Sequence, residues 1–427
     1  MTTATTDASR PPRRTTQVDA WLARHRSGFM ADLMHLVSID TRSPWEDRAF
    51  DWLGGYFTAL GGQVSVEPRH PTLPEHPAAN RNKHSALPAS ARANLHVRLP
   101  ADADVPRVLF SAHLDVVPLA ADFADGFRPR FSGDDVVGRG TADTKGNIVM
   151  LAAALRCVAD LGLPLTRAVL LDLVVEEEIG GNGALSTILH GRDVAEVVVL
   201  EPTSLEVLHG HRGCLEFTAR LGGRASHMGG DGVSAIDGAM EYIAALRKLE
   251  ARLAAEAMAD PDFAGYSRPM QINVGRIAGG EWHGSIPAQC SVGGAFGFHP
   301  KYSLDDVRGM LTELVTGLSD PWFNEHTEIR YEGIHNGAYI GDPYSAVATD
   351  LRRAGQTVTG RGRPPRAWSV SCDARLYHEY LGVPTVVFGA GQLAHAHSSD
   401  ERLSVTEWSQ GVATLVAFLT YGRETAR

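Results

Sequence analysis

Five short segments of this chain carry histidine or carboxylate residues placed where a divalent cation can be held. Ser111-Ala112-His113-Leu114-Asp115 directly follows the apolar run from Arg107 to Phe110. A histidine beyond the carboxyl end of a buried strand lies where open α/β sheets bind ligands. Asp115 is near enough in sequence to hold the second ring nitrogen of His113, as carboxylates do for ligating imidazoles. Gly138-Arg139-Gly140-Thr141-Ala142-Asp143-Thr144-Lys145-Gly146 sets one acid among three glycines before a helix. That acid is either an N-cap or a carboxylate whose two oxygens can bridge two ions. Glu176-Glu177-Glu178 follows a strand of Val and Leu, where three adjacent acids repel one another and a cation relieves the repulsion. Glu201-Pro202-Thr203 places a further carboxylate after the run Val197 to Leu200. His395-Ala396-His397-Ser398-Ser399-Asp400-Glu401 follows a Gly-Ala-Gly turn, and either or both histidines can be ligands.

Each segment alone reads equally as a surface pair, a glycine turn or an exposed acidic loop. Together they supply one donor after each of several strands, all oxygen or imidazole nitrogen. That donor set suits zinc, with manganese or cobalt as alternatives, and not iron–sulfur or copper. No serine stands in a G-x-S-x-G turn, so a nucleophilic triad is not indicated.

The elements that must position these residues are set by periodicity. Trp21, Leu22, Phe29, Leu33, Leu36 and then Phe50, Leu53, Phe57, Leu60 recur at helical spacing, and Gly61-Gly62 ends the second helix. Residues 71–92, rich in Pro, Asn, Ala and His, predict a long surface loop. Arg107 to Phe110, Arg167 to Val175 and Glu196 to Leu200 predict strands, with a helix over Gly146 to Leu161. Continuous apolar strands alternating with helices indicate an α/β sheet covered on both faces. After about Gly210 the pattern changes. Leu215 to Leu221 alternates, with Glu216, Thr218 and Arg220 on one face, and this predicts antiparallel pairing with one wet face. Helices over Ser234 to Ala254 and Leu304 to Leu318, with strands at Gln271 to Ala278 and Glu328 to Tyr331, complete an inserted α+β domain. The first pattern resumes with a helix at Tyr344 to Arg353 and a strand at Pro384 to Phe388.

Composition bounds the function. The chain has 427 residues, 44% hydrophobic and 21% charged, ordinary for a globular protein and enough for two domains. With 40 Lys plus Arg against 50 Asp plus Glu, the net charge of -10 argues against nucleic acid as a partner. Cys157, Cys214, Cys290 and Cys372 are widely spaced and predict reduced thiols. Met1 to Thr16 lacks an apolar h-region and no run is long enough to span a bilayer. A cytoplasmic enzyme with a short frayed N-terminus is expected.

In order and spacing the five segments resemble the M20 metallopeptidase family, which includes acetylornithine deacetylase, succinyl-diaminopimelate desuccinylase, aminoacylase-1 and glutamate carboxypeptidase. The resemblance runs from about residue 20 to 420. It implies a zinc-peptidase-like α/β domain, with a mixed sheet flanked by helices, over residues 1–210 and 335–427. A lid and dimerisation domain would occupy residues 211–334. By match to the family motifs, His113, Asp143, Glu178, Glu201 and His397 are the expected metal ligands. One zinc would rest on His113, Asp143 and Glu201 and the other on Asp143, Glu178 and His397, with cobalt or manganese as substitutes. Asp115 is the expected orienter of His113, Glu177 the general base, and a cis peptide is expected at Asp143–Thr144. His397 fits the family's spacing to Asp400-Glu401, and His395 does not.

The segment Gly223-Arg224-Ala225-Ser226-His227-Met228-Gly229 resembles the lid motif whose histidine reaches the partner's active site, which makes His227 an expected oxyanion donor in a homodimer. Ser371-Cys372-Asp373-Ala374-Arg375 resembles a segment that binds substrate carboxylates, and Arg375 is either such a clamp or part of a structural salt bridge. One departure is evident. Residues Ser291 to Pro300 contain no arginine where many relatives have one, and His283-Gly284 replaces residues that are often Asn or small. The expected activity is hydrolysis of an N-acyl amino acid or related small amide. A dipeptidase or carboxypeptidase of the same family is the alternative, and a non-catalytic binding protein on this fold a third.

Overall fold

Segments made almost wholly of Val, Leu and Phe have no polar face to turn toward water, so they form the middle of a sheet. In the computed structural model, which describes residues 13–421 except 83 and 102–104, these strands are Arg107–His113, Ala168–Val174, Glu196–Val199 and Thr385–Val387. They are parallel, in the spatial order 168–174, 107–113, 196–199, 385–387. Antiparallel strands extend both edges. Asn94–Arg98 and Gln63–Glu67 lie on one side, and Leu208–His211 and Tyr339–Ile340 on the other. Arg366–Trp368 runs parallel beside Leu208–His211, completing a nine-stranded mixed sheet.

Alternate side chains feed two cores, as the period of a strand requires. Val108, Phe110 and Ala112 join the helices Arg13–Ser38, Gly146–Asp160, Ala346–Thr359 and Val405–Thr420. Leu109, Val197 and Val199 face the other way, onto Asn182–Leu189 and the segment Ala374–Leu376. The register aligns the strand ends. His113 pairs with Val174, Ser111 with Val199, and Val199 with Val387, so the four strands end within a few residues of one another. The loops that leave these strands therefore emerge along one edge.

The second sheet contains Ile272–Gly279, Gln289–Phe298, Gly213–Gly222 and Thr327–Arg330 in that order, with His335–Asn336 also beside Gly213–Gly222. Every pairing is antiparallel, as the alternating sequence predicts. Leu215, Phe217, Ala219 and Leu221 are buried in its core, while Glu216, Thr218 and Arg220 are not. The helices Ala235–Met258 and Leu304–Thr316 pack on this sheet, each opened by a serine whose hydroxyl accepts the amide of Asp237 or Asp306. The chain passes from the first sheet to the second between His211 and Gly213, and returns between Asn336 and Tyr339.

One expectation changes. Residues 71–92 are not a surface loop throughout, because Leu73, Asn80, His84 and Arg92 are buried. Arg92 accounts for much of this. Its guanidinium donates to Glu46 at 2.6 and 2.8 Å and to Glu176 at 2.6 Å. A buried arginine stripped of its acids costs about 3–5 kcal/mol, so the loop is pinned. The helix Val405–Thr420 has no sequence signature, because twelve of its 16 residues are buried and no apolar stripe is left to show a period. The frayed terminus expected over Met1 to Thr16 lies mostly outside the described residues, and the first helix is already formed at Arg13. No described helix is long and apolar enough to cross a membrane.

Candidate metal centre

The five segments converge at the shared carboxyl edge of the parallel strands. His113 is the last residue of its strand and is buried. Its Nδ1 lies 2.8 Å from the backbone carbonyl of Asp115, which fixes the ring and leaves Nε2 facing Asp143. The carboxylate of Asp115, expected to do this, is 3.7 Å from Nδ1. It instead accepts the amides of Glu177 and Glu178 at 3.2 and 3.0 Å. Asp115 thus orients His113 through its main chain and shapes the acidic turn through its side chain.

Asp143 stands at the centre. Its Oδ1 is 3.0 Å from His113 Nε2, and its Oδ2 is 3.2 Å from His397 Nε2. His397 Nε2 also lies 2.9 Å from Glu178 Oε2, and His113 Nε2 lies 3.9 Å from Glu201 Oε2. Two half-sites result, each with one histidine and one glutamate, sharing the two oxygens of Asp143. Ligand atoms of His113, Asp143 and Glu178 all fall within 4.8 Å of one another. The Asp143–Thr144 peptide is cis. Among the described residues His395 is hydrogen-bonded only through its backbone, and it lines a separate depression beside Arg402.

The electrostatics describe a site that demands positive charge. Burial, reinforced by Glu201 and Asp373, pushes the Glu177 carboxyl well above the usual carboxylate range. Burial and neighbouring acids raise Glu178 and Glu201 likewise. Burial opposes the ionisation of Asp143, yet hydrogen bonds from His113 and His397 hold its pKa far below normal. Burial works against protonated His397 too, but Asp143 and Glu178 lift it to about 11. Converging carboxylates with oxygen and imidazole donors fit a divalent cation of the zinc type, which supplies that charge without protons.

Residues 109–421 match the peptidase family M20/M25/M40. This chain belongs to that family. As an M20 enzyme it is a hydrolase of amide bonds, metal-dependent as the family is. It is 29% identical over 386 residues to N-acetyl-L-citrulline deacetylase of Xanthomonas campestris, covering 89% of this chain and 94% of that one. It is 26% identical over 426 residues to N-formyl-4-amino-5-aminomethyl-2-methylpyrimidine deformylase of Halalkalibacterium halodurans, covering 94% and 95%. Its fold matches the di-peptidase Dug1p of Saccharomyces cerevisiae with a TM-score of 0.75 at 16% identity, over 97% of this chain and 99% of that one.

Several supporting residues of this M20 site escaped sequence reasoning. Glu401 is fully buried, and its Oε1 accepts the amides of Gly140, Ala142 and Asp143 at 2.9, 3.0 and 3.1 Å. Its Oε2 pairs with Arg139 at 2.7 Å. One carboxylate thus organises the glycine-rich turn, and the only sequence signal was its position four residues after His397. Asn147 ties the same turn to Ala390, and Lys145 anchors it to the carbonyls of Leu36 and Ile39. We expect Glu401→Ala to leave every candidate ligand in place yet weaken divalent-cation binding about 10–100-fold. It should also destabilise the fold by about 3–5 kcal/mol, because Arg139 remains buried and unpaired. Competition titration with a chromophoric chelator reads the first effect and urea unfolding the second.

Arg375, the expected carboxylate clamp or salt-bridge residue, sits beside Gly180 and Asn336. It is buried, its Nη2 donates to the Gly180 carbonyl at 3.1 Å and to Asn336, and no ion pair joins it to Asp373 among the described residues. It faces a cleft with Tyr302, His335 and Tyr380, and it does not line the cavity at the metal cluster. His227 is exposed and also absent from that cavity's wall, its only described side-chain contact being the Gly229 amide at 3.2 Å.

Proposed function

We propose that this protein hydrolyses an N-acyl amino acid, with two zinc ions per chain held by His113, Asp143, Glu178, Glu201 and His397. Cobalt or manganese can substitute. The observation that carries the reading is the charge of the cavity beside the cluster, a space of about 350 Å³. Among the described residues the carboxylates that line it are Asp143, Glu177, Glu178 and Glu201, all part of or adjoining the cluster. None is left over to receive the free α-ammonium of a dipeptide, whereas a neutral acylated nitrogen needs no counter-ion. The remaining wall, with Trp368, Val370 and Leu393, suits an apolar group.

Divalent ions in such a cage lower the pKa of water and polarise a carbonyl oxygen. Glu177 is free for proton transfer, since its carboxylate accepts no hydrogen bond from another described residue. It takes a proton from the attacking water as the new C–O bond forms. It then delivers that proton to the amine nitrogen as the C–N bond breaks. Its raised pKa suits the second task as well as the first. Asp115 holds the backbone of Glu177 and Glu178 and so aims both side chains. Activity against a panel of N-acyl amino acids and dipeptides, with zinc, cobalt or manganese, tests the assignment. Deacylation without dipeptide cleavage is expected, and the reverse pattern refutes it.

We assign His227 to the site of a partner subunit, as donor to the oxyanion. Its exposure supports this, and so does the edge strand Ile272–Gly279, where Ile277 is exposed, as is Trp282 in the turn that follows. His227→Ala is expected to lower kcat about 100-fold with KM nearly unchanged. Mixing it with inactive Glu177→Gln protein should restore about a quarter of wild-type activity, because half the dimers then hold one intact site. A monomer in light scattering, or no recovery on mixing, removes the assignment. The four free cysteines suit a reducing cytoplasm.

A further inference from the structure

The geometry points to Arg212, and not Arg375, as the group that grips the substrate's carboxylate and so makes this site one for acylated acids. Arg212 lies in the one-residue link between the strands Leu208–His211 and Gly213–Gly222, where the chain leaves the first sheet for the second. Its backbone is fixed on both sides, since the amide donates to Trp368 and the carbonyl accepts from His211 Nδ1 at 2.8 Å. Its side chain lines the same cavity as Glu177, Glu201 and His397. There the guanidinium has no ion pair and no hydrogen bond among the described residues, and Nε and Nη1 are both buried without a partner. Cys214 and Asn336, its neighbours in the wall, carry no charge that could neutralise it.

A cation in this state is costly unless something pairs with it. Its fork of donors matches the two oxygens of a carboxylate. The space it occupies is provided by the lid strand. A Cβ at Gly297 would sit 2.2 Å from Arg212 Nη1, so a larger residue there would push the guanidinium from the position it holds. Gly297 belongs to the segment Ser291 to Pro300 that contains no arginine of its own. The cation therefore reaches the cavity from the link between the sheets, past a bare strand. A substrate carboxylate bound there would touch both sheets at once.

This inference rests on the deacylase reading for its reaction, but its test reads binding alone. Calorimetry on zinc-loaded Glu177→Gln protein would compare N-acetyl-L-methionine with its neutral carboxamide. The acid is expected to bind about 100-fold more tightly than the amide. Adding Arg212→Met should bring the two within about threefold, with zinc content and melting temperature unchanged. Gly297→Ala, which keeps the charge but crowds it, should also erode the preference for the acid. Arg375→Met should preserve it. If Arg212→Met protein with its zinc still prefers the acid, or if Arg375→Met alone abolishes the preference, the proposal is overturned. Failure of the deacylase reading looks different: the protein with Glu177 intact would not hydrolyse acylated acids, while the preference for the acid in binding persisted.

Discussion

Glu177→Gln is expected to lower kcat by about 10³-fold while KM and zinc content change by less than about twofold. The substitution preserves size and the backbone contacts to Asp115, which involve the Glu177 amide and not its side chain. It removes only the ability to take and return a proton. Among the acids lining the cavity, Asp143 and Glu178 are engaged by histidines, and Glu201 lies 3.9 Å from His113. None of them is placed to substitute as a base without leaving the cluster. Steady-state kinetics together with metal analysis separate the outcomes. A variant that keeps full zinc and full kcat would remove Glu177 from the reaction. One that loses zinc would make it part of the cage.

Asp143→Ala should have the largest effect on metal binding, because a single side chain serves both half-sites. Its two oxygens face His113 and His397 separately, so its loss opens both. Zinc present at about 1,000 times its dissociation constant stabilises a folded protein by roughly 4 kcal/mol. The wild-type melting temperature is therefore expected to rise on adding zinc and the variant's to stay within a degree or so. Metal analysis should find less than about one ion per chain in the variant. Two tightly held ions in Asp143→Ala protein, with an undiminished thermal response, would rule out the shared-carboxylate arrangement. Substituting Glu178 offers a graded comparison, since among the described residues its carboxylate is hydrogen-bonded only to His397.

These two residues also illustrate how much is legible without coordinates. Asp143 stands out as a lone acid among glycines, and Glu177 and Glu178 as acids at the end of an apolar strand. Placement after strands argues for a cluster, because parallel strands end together whatever loops they lead into. Which histidine joins it comes from the family's spacing, and the structure puts His397, not His395, against Asp143 and Glu178. The residues that hold the site together are harder to see. Glu401 acts on a turn 258 positions away, and Arg92 joins Glu46 to Glu176 across separations of 46 and 84. No local pattern marks such contacts, since a single acid or arginine looks the same whether it is solvated or buried against distant amides.

Order and spacing of residues were enough to indicate the sheet, the switch from buried parallel to half-wet antiparallel strands, and the donor types of a candidate metal site. Those properties depend on local periodicity and on residue chemistry. How the pieces divide their work emerged only in the folded chain. There Asp115 has two tasks instead of one, Arg375 lies outside the cavity and Arg212 lines it. Direction and burial are the reason: a side chain's partners are set by what the fold packs around it, and neighbours in space are here mostly far apart in the chain.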